Sequence, residues 1–151
     1  MTANSPILDQ LLQAFAARIP EGTNARIPPH VFTEMAGEVL AYDSAQQTLS
    51  ARYPVQTRYQ NPLGLMQGGM IAAAIDNTLG PLSFIVAPPS VTKKLEVTYR
   101  RPVTPDIDFI HVEATLAAFD GYTLQLEARV TTPNGKLLAT CRAEHVLARL
   151  G

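Results

Sequence analysis

The stretch Asn61–Gly80, NPLGLMQGGMIAAAIDNTLG, gathers the residues of this chain best suited to chemistry. Gly68-Gly69 opens a helical run that is apolar almost throughout and holds one carboxylate, Asp76. The first N–H groups of a helix lack intrahelical acceptors, and the helix dipole favours negative charge beside them. Gly68 and Gly69 can therefore offer donors to a developing oxyanion. Having no side chains, they let a carbonyl approach the backbone closely. Asp76 supplies a general base or a nucleophile. A helix apolar on every side is expected to be buried, where an ionised carboxylate is costly unless compensated. The expectation is a buried Asp76 kept for its reactivity.

Spacing limits how these groups cooperate. Asp76 follows Gly68 by eight residues, about 12 Å along a helix axis at ~1.5 Å per residue. Groups acting on one carbon must come within roughly 3–3.5 Å of it. One helix cannot bring both to one site. Two antiparallel helices from two subunits can, which predicts a dimer with two shared sites. Each residue also has a plainer reading. Gly68-Gly69 can be a close-packing helix start, and Asn61, before Pro62, an ordinary turn former. Asp76 can be a solvated residue near the end of a helix that stops at Leu79.

Other chemistry finds little support. His30, His111 and His145 lie far apart, none at metal-ligand spacing with another His. His111 shares a strand face with Glu113 and Thr115, a solvent face. Cys141 alternates with Leu137 and Ala139, which predicts a buried, inert thiol. No G-x-S-x-G elbow and no phosphate-binding glycine loop occurs.

The elements that must position the candidates read as follows. Ile7, Leu8, Leu11, Leu12, Phe15 and Ile19 share a helical face, with Ser5 as N-cap and Pro6 at the first helical position. Pro20, Gly22 and Pro28-Pro29 end that helix in a linker. Strands are expected over Phe32–Tyr42 and Thr48–Tyr59, with a turn at Asp43-Ser44. The central helix starts near Gln67, and Gly80-Pro81 is expected to kink or break it. Four strand-length segments follow: Val91–Arg101, Ile107–Phe119, Tyr122–Thr132 and Lys136–Arg149. Tyr122, Leu124, Leu126, Ala128 and Val130 fall on one face of the third, a sheet with one side on the core. Asp120-Gly121 and Asn134-Gly135 signal tight hairpins, so the last three strands are antiparallel. The result is α+β: an antiparallel sheet of about six strands wrapped around a long helix, with an extra N-terminal helix.

Composition narrows the class. Residues 1–151 read as one domain, residues 1–28 being its N-terminal helix and linker. With 46% hydrophobic and 17% charged residues the chain is globular and not disordered. A net charge of −1, with no basic run longer than Lys93-Lys94 or Arg100-Arg101, argues against a nucleic-acid partner. One cysteine permits no internal disulfide and no multi-cysteine metal site, so a reducing compartment is expected. No apolar run nears the roughly 20 residues of a membrane span. The N-terminus has no basic residue before its apolar part and carries Asp9, unlike a signal peptide. A cytoplasmic protein without a membrane partner is the expectation.

The element order and the pattern N-x-x-G-x-x-[H/Q]-G-G-x-x-x-x-x-x-D, here Asn61, Gly64, Gln67, Gly68, Gly69 and Asp76, resemble the hotdog-fold thioesterases. The nearest group is the phenylacetate-pathway-like and 4-hydroxybenzoyl-CoA-thioesterase-like one, and the likeness spans about Phe32 to Leu150. Val91–Val103, VTKKLEVTYRRPV, is similar to that family's strand after the helix. The resemblance implies an acyl-CoA thioesterase acting on a small or medium, aliphatic or aryl, acyl group. It implies a homodimer or a dimer of dimers, with coenzyme A as part of the substrate and neither a separate cofactor nor a metal. By the same likeness, Gly68 polarises the thioester carbonyl and Asp76 activates water or attacks. Asn61 orients water or substrate, and Thr92 matches a Ser or Thr that supports the carboxylate. Gln67 stands where many relatives have His; it can orient a carbonyl or water but cannot carry a proton.

Strand alternation from Leu95, Val97 and Tyr99 would put Thr92 on the opposite face, with Lys94 and Glu96. Gly69 and Asn77 are further candidate substrate contacts. Lys93, Lys94, Arg100 and Arg101 are candidates for the coenzyme A phosphates. Tyr59 and Phe84 are candidates for an acyl pocket or for plain core. Two alternatives remain: a non-catalytic acyl-thioester-binding protein, and an acyl-thioester dehydratase or hydratase. The last needs a catalytic His, and none lies within thirty residues of the helix start.

Overall fold

A computed structural model describes residues 6–149. Helix α1, Pro6–Ala16, lays its apolar face on the central helix, where the Phe15 and Phe84 rings meet at 4.1 Å. Its expected cap, Ser5, lies outside the described residues. The expected first strand is corrected at its start. Residues His30–Glu34 form a short helix, α2, entered from an extended Pro29, and the chain then reverses through a left-handed Ala36. Gly37 sits in that reversal with no room for a side chain: a Cβ there would lie 2.7 Å from the Phe32 ring and 2.8 Å from Tyr53. Strand β1 therefore begins only at Glu38 and runs to Asp43.

Strand β2, Thr48–Pro54, is shorter than expected, because Thr57–Tyr59 winds into a 3-10 turn. Strands β3 (Ser90–Tyr99), β4 (Phe109–Phe119), β5 (Thr123–Thr131) and β6 (Leu137–Leu147) complete one antiparallel sheet, ordered β1-β2-β4-β5-β6-β3. The hairpins are built as their sequences require. Asp120 Oδ1 accepts the N–H groups of Tyr122 and Thr123, and Gly121 and Gly135 take positive φ. Strand β5 alternates without a break, burying Leu124, Leu126, Ala128 and Val130.

Helix α3, Gly68–Val86, crosses the inner face of this sheet. It does not stop at Gly80-Pro81. Pro81 lies inside it, where it lacks a donor for the Asn77 carbonyl. Burial of Leu79, Leu82 and Ser83 on either side of Pro81 holds the helix together there. Nor is α3 buried all round. Ile71, Ala74, Ile75, Thr78, Leu79 and Leu82 face the core, while Gly69 and Asp76 are exposed and Ala72, Ala73 and Gly80 are half-buried. The reason is geometric: a sheet covers one side of a helix, α1 reaches the rest near Phe84, and among the described residues nothing covers Gly69 and Asp76. At 19 residues α3 is also long and apolar enough to cross a membrane by length and composition, contrary to expectation. Its packing makes it the core helix of this sheet.

Candidate active site

The start of α3 forms one polar cluster. Gln67 is its N-cap, with extended backbone and no capping bond from its exposed side chain. Its N–H donates to the Tyr59 carbonyl at 2.8 Å, and its own carbonyl accepts from Met70 and Ile71 at 2.9 and 3.2 Å. The N–H groups of Gly68 and Gly69 take no acceptor among the described residues. Asn61 stands opposite. Its Oδ1 accepts from the N–H of Leu63 at 2.9 Å and of Leu65 at 3.1 Å, which pins the turn and fixes the amide orientation. Among the described residues the amide NH2 has no acceptor. Asn61, Met66, Gly68, Ile71, Tyr99 and Arg100 line an open groove of about 300 Å3.

The two glycines play different parts. A Cβ on Gly68 would lie 3.2 Å from Cζ of Tyr99, whose hydroxyl donates to the Gly68 carbonyl at 2.5 Å. Gly68 is thus small to admit the chain's own Tyr99. Around Gly69 nothing lies within 4 Å of such a Cβ, so this is where an outside molecule can approach.

Asp76 is exposed and not buried, which corrects the expectation of a desolvated carboxylate in the single chain. It does not line the Asn61–Gly68 groove. Its Oδ1 accepts from the Thr92 hydroxyl at 3.0 Å. Simple alternation assigned Thr92 to the far face with Lys94 and Glu96, and a β-bulge overturns that. The register of β3 against β6 slips between Thr92 and Lys94, leaving Lys93 without an opposite residue. Thr92 pairs with His145, Leu95 with Ala143 and Val97 with Cys141, so Thr92 joins the helix-facing side. One extra residue decides whether Thr92 meets Asp76 or water.

Behind Thr92 lies a residue that sequence reasoning passed over. His145 is 2% exposed. Its Nε2 is 3.3 Å from the Thr92 hydroxyl and its Nδ1 3.3 Å from the hydroxyl of buried Ser90. Burial lowers its pKa, opposed by the charge of Asp76. A signal existed: continuing the Cys141 alternation through Ala143 puts His145 on the apolar face, where a ring must find partners. Cys141 is buried as expected, its thiol pushed up to about 11 chiefly by burial and partly by Asp76.

The remaining candidates disperse. Asn77 turns inward and donates to Met35 Sδ at 3.3 Å. On β3 beside Thr92, Lys93 pairs with Glu144 of β6 at 3.4 Å and Lys94 with Glu96 at 3.7 Å. Arg100 and Arg101 instead border the Asn61–Gly68 groove. The Tyr59 hydroxyl donates to the Glu34 carbonyl, and Phe84 stacks on Phe15, so both have packing partners.

No family model matches the sequence, and no curated protein matches it. Solved structures do match. A phenylacetic acid degradation-related protein of Ralstonia eutropha JMP134 is 24% identical, with a TM-score of 0.76 over 88% of this chain and 99% of its own. The PaaI protein of the Escherichia coli phenylacetic acid degradation operon is 12% identical, with a TM-score of 0.78 over 93% and 94%. A Streptococcus pneumoniae TIGR4 protein named as a hypothetical thioesterase, solved with coenzyme A, is 14% identical, with a TM-score of 0.68 over 74% and 85%. The chain has the hotdog fold and shares it with these structures.

Proposed function

We propose that this chain is an acyl-CoA thioester hydrolase whose active site is completed between two copies. One observation carries the reading: α3 is a single unbroken helix bearing two half-sites, unpartnered N–H donors at Gly68-Gly69 and a carboxylate at Asp76. Eight residues of helix hold them about 12 Å apart. The uncovered side of α3 carries Gly69, Ala72, Ala73, Asp76 and Gly80, small enough for a second copy to come close. An antiparallel copy brings its Asp76 to the first copy's helix start. Only then does the carboxylate lose water.

In that arrangement the thioester carbonyl oxygen takes N–H donors from Gly68 and Gly69, with the Asn61 amide close by. Asp76 of the other copy removes a proton from water as the water oxygen bonds to the carbonyl carbon. The tetrahedral intermediate then collapses, breaking the C–S bond and releasing the acid and a coenzyme A thiolate. That thiolate is a good enough leaving group to depart without an acid, which suits a Gln67 that cannot titrate. The oxyanion donors act where charge develops and so lower the barrier rather than merely bind substrate. Arg100 and Arg101, at the groove, are better placed for coenzyme A phosphates than the ion-paired Lys93 and Lys94.

A hydratase reading needs a histidine at the reacting carbon. His145, at 2% exposure and with a neighbour at each ring nitrogen, is not available for that. A panel of aliphatic and aryl acyl-CoA thioesters, assayed for free thiol, tests the proposal. Release on any member separates an enzyme from a binder. Binding of the thioesters without release across the panel would favour a non-catalytic acyl-thioester-binding protein.

A further inference from the structure

Asp76 reaches the molecule's interior through a file of four side chains: Asp76 Oδ1, Thr92 Oγ1, the His145 ring and Ser90 Oγ, at successive separations of 3.0, 3.3 and 3.3 Å. Proton counting fixes the direction of this file. An ionised carboxylate only accepts. Thr92 has a single hydroxyl proton, and it is spent on Asp76. The contact between Thr92 and Nε2 is then a hydrogen bond only if Nε2 carries a proton and Thr92 accepts it. In a neutral ring, Nδ1 is consequently bare and accepts from the Ser90 hydroxyl. Burial favours the neutral ring, against the pull of Asp76. No buried side-chain polar atom is left unsatisfied among the described residues, so the file is complete.

We infer that His145 is a positioning residue: as the Nε2–H tautomer it holds the Thr92 hydroxyl so that its proton points at Asp76. The inference rests on the reading of Asp76 as the reacting carboxylate, but the direction of the file stands apart from activity. Each bond donates toward Asp76, so each polarises the next and raises the donor strength of the Thr92 hydroxyl. Without His145, Thr92 has no fixed donor behind it, and its hydroxyl is free to turn. The bulge at Lys93 serves the same end, since it alone turns Thr92 toward the helix. The charged groups around the file are Asp76 from α3, Lys93 and Lys94 on β3, and Glu144 beside His145 on β6. Both lysines are paired at the surface.

Two measurements test it. In the full-length protein labelled with 15N-histidine, NMR at neutral pH should show one buried ring protonated at Nε2 and bare at Nδ1. The opposite tautomer, or a doubly protonated ring, would overturn the inference whatever the enzyme does. In the kinetic arm, His145→Gln keeps a donor at the end of the side chain, and His145→Leu removes it at similar bulk. The expected result is kcat within about threefold of wild type for Gln and about tenfold down for Leu, KM unchanged. Equal activity of Leu and wild type overturns the positioning role. Should both variants misfold, the wild-type tautomer still decides. Should the wild type release no thiol at all, it is the hydrolase reading that falls, and the NMR arm is unaffected.

Discussion

The two ends of the Gly68–Asp76 segment are built on opposite plans. At Gly68-Gly69 the polar groups are backbone, fixed by the helix itself, and one side chain, Tyr99, suffices to brace them. At Asp76 the polar group sits at the end of a rotatable side chain, and three further side chains run back from it into the core. The difference follows from what each end must hold still. Backbone N–H groups need no tautomer or rotamer chosen for them. A carboxylate on an uncovered helix face does, and α3 offers it nothing on its own side.

Breaking the carboxylate end outright should have the largest effect. Asp76→Ala is expected to lose at least a hundredfold in thiol release, with an unchanged circular dichroism spectrum and unchanged oligomer size. Near-normal turnover would remove Asp76 from the mechanism. Mixing that variant with Asn61→Ala pits the two ends against each other. Mixed dimers hold one intact site and should recover clear activity, whereas silence from subunits shown to exchange would mean each copy works alone.

The next effect sharpens the helix-start end. Gly68→Ala puts a methyl 3.2 Å from the Tyr99 ring, which must give by a few tenths of an ångström and disturbs its bond to the Gly68 carbonyl, a loss on the order of 1 kcal/mol. A urea titration should show that loss, and it should be only partly recovered in Gly68→Ala with Tyr99→Leu, which relieves the contact but forgoes the hydroxyl's bond to the Gly68 carbonyl. Gly69→Ala, with open space around it, should leave stability near wild type and raise KM or lower kcat instead. Equal stability losses at both glycines would erase the distinction drawn between them. Smaller again, Thr92→Val should lower kcat about tenfold through loss of the bond to Asp76, with Thr92→Ser restoring most of it.

The smallest effect is on stability against pH. Burial holds the folded-state pKa of His145 below its ordinary 6.5. Below about pH 6.5 the unfolded chain therefore binds more protons at this position than the folded one, and stability falls as pH drops through that window. In His145→Gln this part of the decline should disappear from a Tm-against-pH series. A slope unchanged by the substitution would show that the ring is not held neutral.

How much of this was readable beforehand depended on whether the governing contact was local. Strand β5 and the two glycine hairpins were legible because alternation and turn chemistry act over a few residues. The strand expected from Phe32 failed because a tertiary fit, Phe32 and Tyr53 closing over Gly37, outweighed a local apolar pattern. The helix was recognisable, but which of its faces is covered depends on neighbours that periodicity cannot supply. Leu95, Val97 and Tyr99 set one phase for the strand, and only pairing with β6 reveals the bulge that breaks it and brings Thr92 to the side of Asp76. His145 lies 53 residues from Thr92 and was invisible to any search for nearby histidines.

The seat of Tyr99 on Gly68 has a historical consequence. These positions stand 31 residues apart in the chain, yet the fit between them makes a change at one felt at the other. A lineage that acquires a side chain at 68 first must live with a displaced ring. One that shrinks residue 99 first leaves the helix start unbraced. Either single step passes through a worse protein, so the pair is expected to change together or not at all, and a descendant in which only one has moved should carry a third substitution nearby that refilled the gap.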